Sequence, residues 1–162
     1  MKAAVIMGSM SDLDKVTPCV ELLKKFDVEV EVRCLSAHRA SAMLHEFMET
    51  VNENGTEVVI AAAGMAAALP GVVAAQTTLP VIGVPLSGSV LDGQDALYSI
   101  VQMPPGIPVA TVAINGAKNA AWLAMEIMGI KYPELHAKLI EERKKMEADA
   151  LKANEEVRAR FL

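Results

Sequence analysis

Residues 3–7 form an uninterrupted apolar run, which predicts a strand buried on both faces, as at the centre of a parallel sheet. A small-residue turn follows, Gly8-Ser9-Met10-Ser11-Asp12, and then Val16, Cys19, Val20, Leu23 and Phe26 recur at helical spacing. Ser11-Asp12-Leu13-Asp14 has the S-x-x-D form of a capping box, so Ser11 is the expected N-cap, while Pro18 predicts a kink or a displaced start. Residues 28–34 alternate strictly, the pattern of a half-exposed strand towards a sheet edge. Ala40, Met43, Leu44, Phe47, Met48 and Val51 give an amphipathic helix that Asn54-Gly55 stops. Further strands are expected over residues 57–62, 80–84 and 109–114. A short helix opening at Leu69-Pro70-Gly71 and another over roughly residues 95–101 separate them, and Pro104-Pro105-Gly106 breaks the second. A helix over residues 117–128 and a long charged helix from Pro133 towards Leu162 complete the pattern.

Five strands alternating with helices predict an α/β fold, a flavodoxin-like, three-layer, doubly wound parallel sheet with an appended long C-terminal helix. Residues 1–130 are read as a single domain. Residues 131–162 are read as a helical extension that packs on a neighbouring subunit. Sheets of this type bind ligands beyond the carboxyl ends of their strands, near the topological switch point. Three of those ends carry Gly8 to Asp12, Ser36-Ala37-His38-Arg39 and Ala63-Gly64-Met65-Ala66, small, polar or ionisable residues on one rim.

Charge narrows the partners. A net charge of −5 argues against nucleic acid or anionic membranes. Between residues 58 and 117 only Asp92 and Asp95 are charged, yet Pro70, Pro80, Pro85, Pro104 and Pro108 cut that stretch into pieces too short to span a bilayer. Buried strands plus apolar helix faces that one subunit cannot cover predict a homo-oligomer. Cys19 and Cys34 are too few and too isolated for a disulfide framework or a zinc site, and no basic-then-apolar leader precedes the first strand, so a cytoplasmic location is expected.

Each chemical candidate has an ordinary alternative. Gly8, Ser9, Ser11 and the following helix N-terminus make either an anion site or a plain strand-to-helix turn. His38, beside Ser36 and Arg39 at a strand end, is placed for general acid/base work or is a loop histidine bonded to backbone. Arg39 can hold a phosphate or a surface salt bridge, and Asp12 can accept from ribose hydroxyls or simply favour the helix N-terminus. His45 and His136 lie on helix faces expected to be solvated, and Lys118 and Asn119 face either the site or an interface.

Taken together, Met7 to Asp12, Ser-Ala-His-Arg at residues 36–39, Ala63-Gly64 with Leu69-Pro70-Gly71, the run Leu97-Tyr98-Ser99-Ile100-Val101-Gln102-Met103-Pro104 and residues 106–114 resemble, in this order, the PurE family of de novo purine biosynthesis. Arg39 and the Tyr-Ser-Ile-Val-Gln-Met-Pro run are similar to its mutase branch, class I. The resemblance implies conversion of N5-carboxyaminoimidazole ribonucleotide to 4-carboxy-5-aminoimidazole ribonucleotide without metal or organic cofactor, in an octamer. It also implies site roles: His38 as acid and base, Ser9, Ser36 and Arg39 for the phosphate, and Asp12 for the ribose. Ala63, Gly64 and Leu69 would line the base and carbon dioxide pocket. Two positions depart from the family pattern. Ala68 stands where many mutases have His, and Met65 where Gly is common, which leaves His38 alone to move protons and is expected to reshape the carbon dioxide pocket. Alternatives are direct carboxylation of 5-aminoimidazole ribonucleotide in the same pocket, or a non-catalytic flavodoxin-like module for a phosphate ligand. A phosphoacceptor domain would end its third strand in Asp, where this chain has Ala62-Ala63.

Overall fold

The structure, a computed structural model, describes all 162 residues. Five parallel strands, β1 (Lys2–Met7), β2 (Glu29–Cys34), β3 (Val58–Gly64), β4 (Val81–Leu86) and β5 (Ala110–Thr111), form one sheet in the order β2-β1-β3-β4-β5. This is the flavodoxin-like order, with its switch point between β1 and β3. The apolar runs of β1, β3 and β4 are almost wholly buried, whereas the alternating β2 sits at the edge.

Helices α1 (Leu13–Lys25), α2 (Ser41–Glu53), α3 (Leu69–Ala74), α4 (Gln94–Val101) and α5 (Ala117–Gly129) connect or follow the strands. Alternation along the strands divides their side chains between two layers. Ala4, Ile6, Val59, Ala61 and Val81 pack with Leu44, Phe47, Met48 and Val51 of α2, Leu69 and Val73 of α3, and Ala96 and Ile100 of α4. The opposite strand positions are equally buried, as are Val16, Cys19 and Leu23 of α1 and Ala117, Ala120, Ala121 and Ala124 of α5. Phe26, just beyond α1, meets Trp122 of α5 edge to face at 5.3 Å.

Compactness divides the chain into residues Met1–Ala124 and Met125–Leu162. In the second unit the last turn of α5 leads to α6 (Pro133–Phe161), 29 residues long. Leu135 and Leu139 are buried, Arg143 donates to Glu126 at 2.7 Å, and the large apolar side chains Ile140, Met146, Leu151, Val157 and Phe161 are exposed.

Three expectations are corrected. Ser11 is not the N-cap: a 3-10 turn, Met10–Asp12, precedes α1, so the first unpaired N–H groups come earlier and Ser9 caps them, its Oγ accepting from Ser11 N at 3.3 Å. The start of α1 is not displaced by Pro18: the helix begins at Leu13 and holds Pro18 as its sixth residue, at the cost of the bond that an N–H there would make to Asp14 O. Most informative is β5, which stops at Thr111 although the apolar run continues to Ile114. Val112 N donates to Gly83 O at 3.1 Å, and the next rung of a parallel ladder would need an N–H at Pro85. The chain leaves the sheet there, and Asn115 (φ 59°) returns to donate to Pro85 O at 2.8 Å.

Two stability predictions arise from this packing. A Cβ on Gly83 would lie 2.4 Å from Ile100 Cγ2 and 2.8 Å from Val109 Cγ1. Gly83→Ala is therefore expected to lower stability by about 1–3 kcal/mol, seen as a lower urea midpoint at unchanged slope. Burial pushes the Cys19 thiol from 9.0 up to about 12. Because the folded value lies above the unfolded one, the folded state holds its proton more tightly. Stability is then unaffected by this group below pH 9 and falls as the pH rises from 9 towards 12. Cys19→Ala should lose that part of the alkaline slope, which denaturant midpoints measured against pH on both proteins will show.

Candidate functional site

The carboxyl ends of β1, β2, β3 and β4 surround a cavity of about 590 Å³. All ten residues singled out in the sequence line it: Gly8, Ser9, Ser11, Asp12, Ser36, His38, Arg39, Ala63, Gly64 and Leu69. Local rules put them there. Gly8 N donates to Ala62 O at 3.3 Å, tying the first turn to the end of β3, and a Cβ at Gly8 would lie 4.0 Å from Asp12 Oδ2. Ser9 Oγ accepts from both the amide and the hydroxyl of Ser11, at 3.3 and 2.9 Å, so the two serines form one hydroxyl cluster over the turn. Burial raises the Asp12 carboxyl above its ordinary value, against hydrogen bonds from the Ser9 backbone and the Ser11 side chain and the attraction of Lys15.

On the β2 side, Ser36 organises a tight turn. Its carbonyl accepts from Ala40 N at 2.9 Å, and its Oγ accepts from Arg39 N at 3.3 Å and Arg39 Nε at 3.5 Å. The outer nitrogens of the Arg39 guanidinium have no protein partner, and no carboxylate pairs with it. His38 lies between these two residues, exposed at the cavity, and neither backbone nor side chain bonds its imidazole. A cation with a free fork and an imidazole with both nitrogens free share one short turn.

The third wall is apolar. Ala63, Ala67 and Leu69 are buried, and Gly64 suits the place where β3 passes β4, since a Cβ there would make a tight contact of 3.2 Å with Leu86 O. Met65 holds a left-handed backbone (φ 57°) that non-glycine residues rarely adopt, and the loop closes through Ala67 N donating to Met65 O at 2.9 Å and Ala68 N donating to Ala66 O at 2.7 Å. Met65 and Ala68, the two departures from the family pattern, both line the cavity.

Sequence reasoning missed Lys15 and the Ser87-Gly88 pair on the fourth side. A signal existed for each. Lys15 follows Asp12 by three residues, which puts it on the same helical face, and Ser87-Gly88 follow a strand that neighbours β3. His45 is outside the lining and meets Gln76 Oε1 at 2.9 Å, and His136, Lys118 and Asn119 are exposed and outside it as well. No group of three or more His, Cys, Asp or Glu is placed to hold a metal ion, and no helix is long and apolar enough to cross a membrane.

A family model described as AIR carboxylase matches residues 2–149. The N5-carboxyaminoimidazole ribonucleotide mutase of Pyrococcus abyssi is 56% identical over 145 residues, 90% of this chain and 83% of that protein. The mutase of the same name from Methanocaldococcus jannaschii is 51% identical over 157 residues, 97% of this chain and 98% of its own. Among solved structures, Treponema denticola PurE superposes with a TM-score of 0.82 at 29% identity, covering 95% of this chain and 94% of that one.

Proposed function

Because the chain belongs to the AIR carboxylase (PurE) family, we propose that it is the mutase of de novo purine biosynthesis that converts N5-carboxyaminoimidazole ribonucleotide to 4-carboxy-5-aminoimidazole ribonucleotide. One observation carries the assignment of the site: an unpartnered imidazole and a guanidinium whose outer nitrogens are free face an alanine-walled cavity at the switch point.

The chemistry follows from that arrangement. Arg39 offers its outer nitrogens to the substrate phosphate, and the hydroxyls of Ser36 and Ser9 donate beside it, with Ser11 Oγ donating to Ser9 Oγ and orienting it. Gly8 lets the ligand approach the backbone, and Asp12 accepts from the ribose hydroxyls. The base then lies against Ala63, Gly64 and Leu69, next to His38. As the bond between the exocyclic nitrogen and the carboxyl carbon breaks, that nitrogen takes a proton from protonated His38 and carbon dioxide is freed. Ring carbon C4 attacks the trapped carbon dioxide and becomes tetrahedral. His38, now neutral, removes the C4 proton, the ring regains its aromaticity, and the histidine ends as it began. One proton circulates, so a single imidazole suffices without a second histidine at Ala68. Apolar walls suit this intermediate, because they exclude the water that would hydrate carbon dioxide and they hold it against C4.

The subunit assembles as a cytoplasmic homo-octamer in this reading, with residues 131–162 packing on neighbouring subunits. Exposed apolar side chains support it: Val90, Leu91, Tyr98 and Val101 in and before α4, and Leu151, Val157 and Phe161 on α6. Sedimentation equilibrium should return eight times the chain mass, and a monomer would refute the assembly.

Parallel absorbance assays test the reaction. Efficient conversion of N5-carboxyaminoimidazole ribonucleotide, with 5-aminoimidazole ribonucleotide reacting only at very high bicarbonate, is the expected result. Efficient use of the second substrate alone would mean a direct carboxylase. Silence in both, with tight nucleotide binding, would mean a binding module.

A further inference from the structure

Hydrogen bonds from two sides brace the fourth wall of the cavity, Ser87 and Gly88. Ser87 and Gly88 follow β4, whose register sets Ala63 opposite Pro85 and Gly64 opposite Leu86, so the pair lies beside the alanine-walled part of the cavity. Two residues from distant parts of the chain hold it. Lys15 Nζ, from the first turns of α1, donates to the Ser87 carbonyl at 2.6 Å and reaches its Oγ at 3.4 Å. Asn115, in the left-handed conformation where β5 leaves the sheet, accepts from Ser87 N through Oδ1 at 3.1 Å and donates from Nδ2 to Ser87 Oγ at 2.8 Å. The Lys15 ammonium has no carboxylate in a salt bridge, and both of its hydrogen bonds go to this loop.

We propose that Lys15 is a positioning residue for the mutase reaction, and that with Asn115 it latches the Ser87-Gly88 loop shut over the part of the cavity that retains carbon dioxide between decarboxylation and attack by C4. The inference rests on the reaction assigned above. If the latch opens, the freed carbon dioxide escapes, and the 5-aminoimidazole ribonucleotide left behind dissociates instead of being recarboxylated. Phosphate and ribose are held elsewhere, by Arg39, Ser36, Ser9 and Asp12, so a loosened latch changes how turnovers end more than how substrate binds.

A second role for Lys15 has to be separated from this one, because its charge also acts on Asp12. Weakened electrostatics at Asp12 would reach the ribose and appear in KM. Asn115→Gly removes the latch from the other side, leaves Lys15 and Asp12 in place, and tolerates the positive φ.

The test measures, for wild type, Lys15→Met, Lys15→Arg and Asn115→Gly, the ratio of free 5-aminoimidazole ribonucleotide released to carboxylated product formed. Lys15→Met and Asn115→Gly should each raise that ratio about tenfold, the scale of one charge-assisted hydrogen bond, with KM within about threefold of wild type. Lys15→Arg should restore most of the retention. Amide hydrogen exchange on the ligand-free proteins supplies a readout independent of turnover: residues 88–93 should exchange faster in both latch variants, with residues 36–40 unchanged. An unchanged release ratio in Lys15→Met, or leakage absent from Asn115→Gly, would overturn the proposal. If wild type fails to turn over the substrate, the assigned reaction falls, and the exchange data alone decide whether the latch exists.

Discussion

His38→Asn is expected to lower kcat by about 10³-fold or more while nucleotide affinity stays within a few-fold of wild type. Asparagine occupies a similar volume and keeps a polar tip, but it neither takes up nor releases a proton near neutrality. Both proton transfers in the proposed cycle run through this one imidazole, so no partial step survives its loss. The structure supplies no substitute: His45 and His136 lie outside the cavity, and Ala68 carries no proton. Asp12 is the remaining acid at the rim, and it is committed to the Ser9–Ser11 turn. Initial rates together with equilibrium binding of the product nucleotide check this. Wild-type rates in the variant would remove His38 from the mechanism, and lost binding with intact kcat would make it a ligand contact instead.

Arg39→Met should act on the other axis, raising KM by about 10²-fold with a smaller effect on kcat. The guanidinium spends its Nε and its backbone amide on Ser36 Oγ, which fixes its orientation and leaves the outer pair of nitrogens for the ligand. A phosphate bound there meets a planar pair of donors that methionine cannot imitate. Lysine should recover only part of the affinity, because it offers a point charge without the fork and loses the bond to Ser36. Steady-state kinetics of the three proteins, at low and high salt, separate the bidentate geometry from simple charge. If Arg39→Lys matched wild type, a point charge would be enough and the fork irrelevant.

Much of this site was legible because its residues lie next to each other in sequence as well as in space. Buried strands announce themselves as apolar runs, and a parallel sheet brings their carboxyl ends to one rim, so Gly8 to Asp12, Ser36 to Arg39 and Ala63-Gly64 could be placed together before any geometry was known. The alternation of residues 28–34 likewise marked β2 as an edge. What escaped depends on partners far away. Lys15 meets Ser87 across 72 positions, and Asn115 meets it across 28, and no local pattern encodes either pairing. The end of β5 was hidden for the same reason: residues 112–114 are apolar enough for a strand, but the missing donor belongs to Pro85 on the neighbouring strand. At the first turn, Ser9 and Ser11 both suit a cap, and only the intervening 3-10 turn decides for Ser9.

In the proposed cycle carbon dioxide stays in the cavity from the breaking of its bond to the exocyclic nitrogen until its bond to C4 forms. The most direct measurement supplies N5-carboxyaminoimidazole ribonucleotide labelled with carbon-13 in its carboxyl group, in buffer containing unlabelled bicarbonate, and follows the label into the product. Retention of carbon-13 in nearly every C4 carboxyl group formed is the result this mechanism predicts. Product carrying carbon from the bicarbonate pool would contradict it, and would make the enzyme a carboxylase fed from solution.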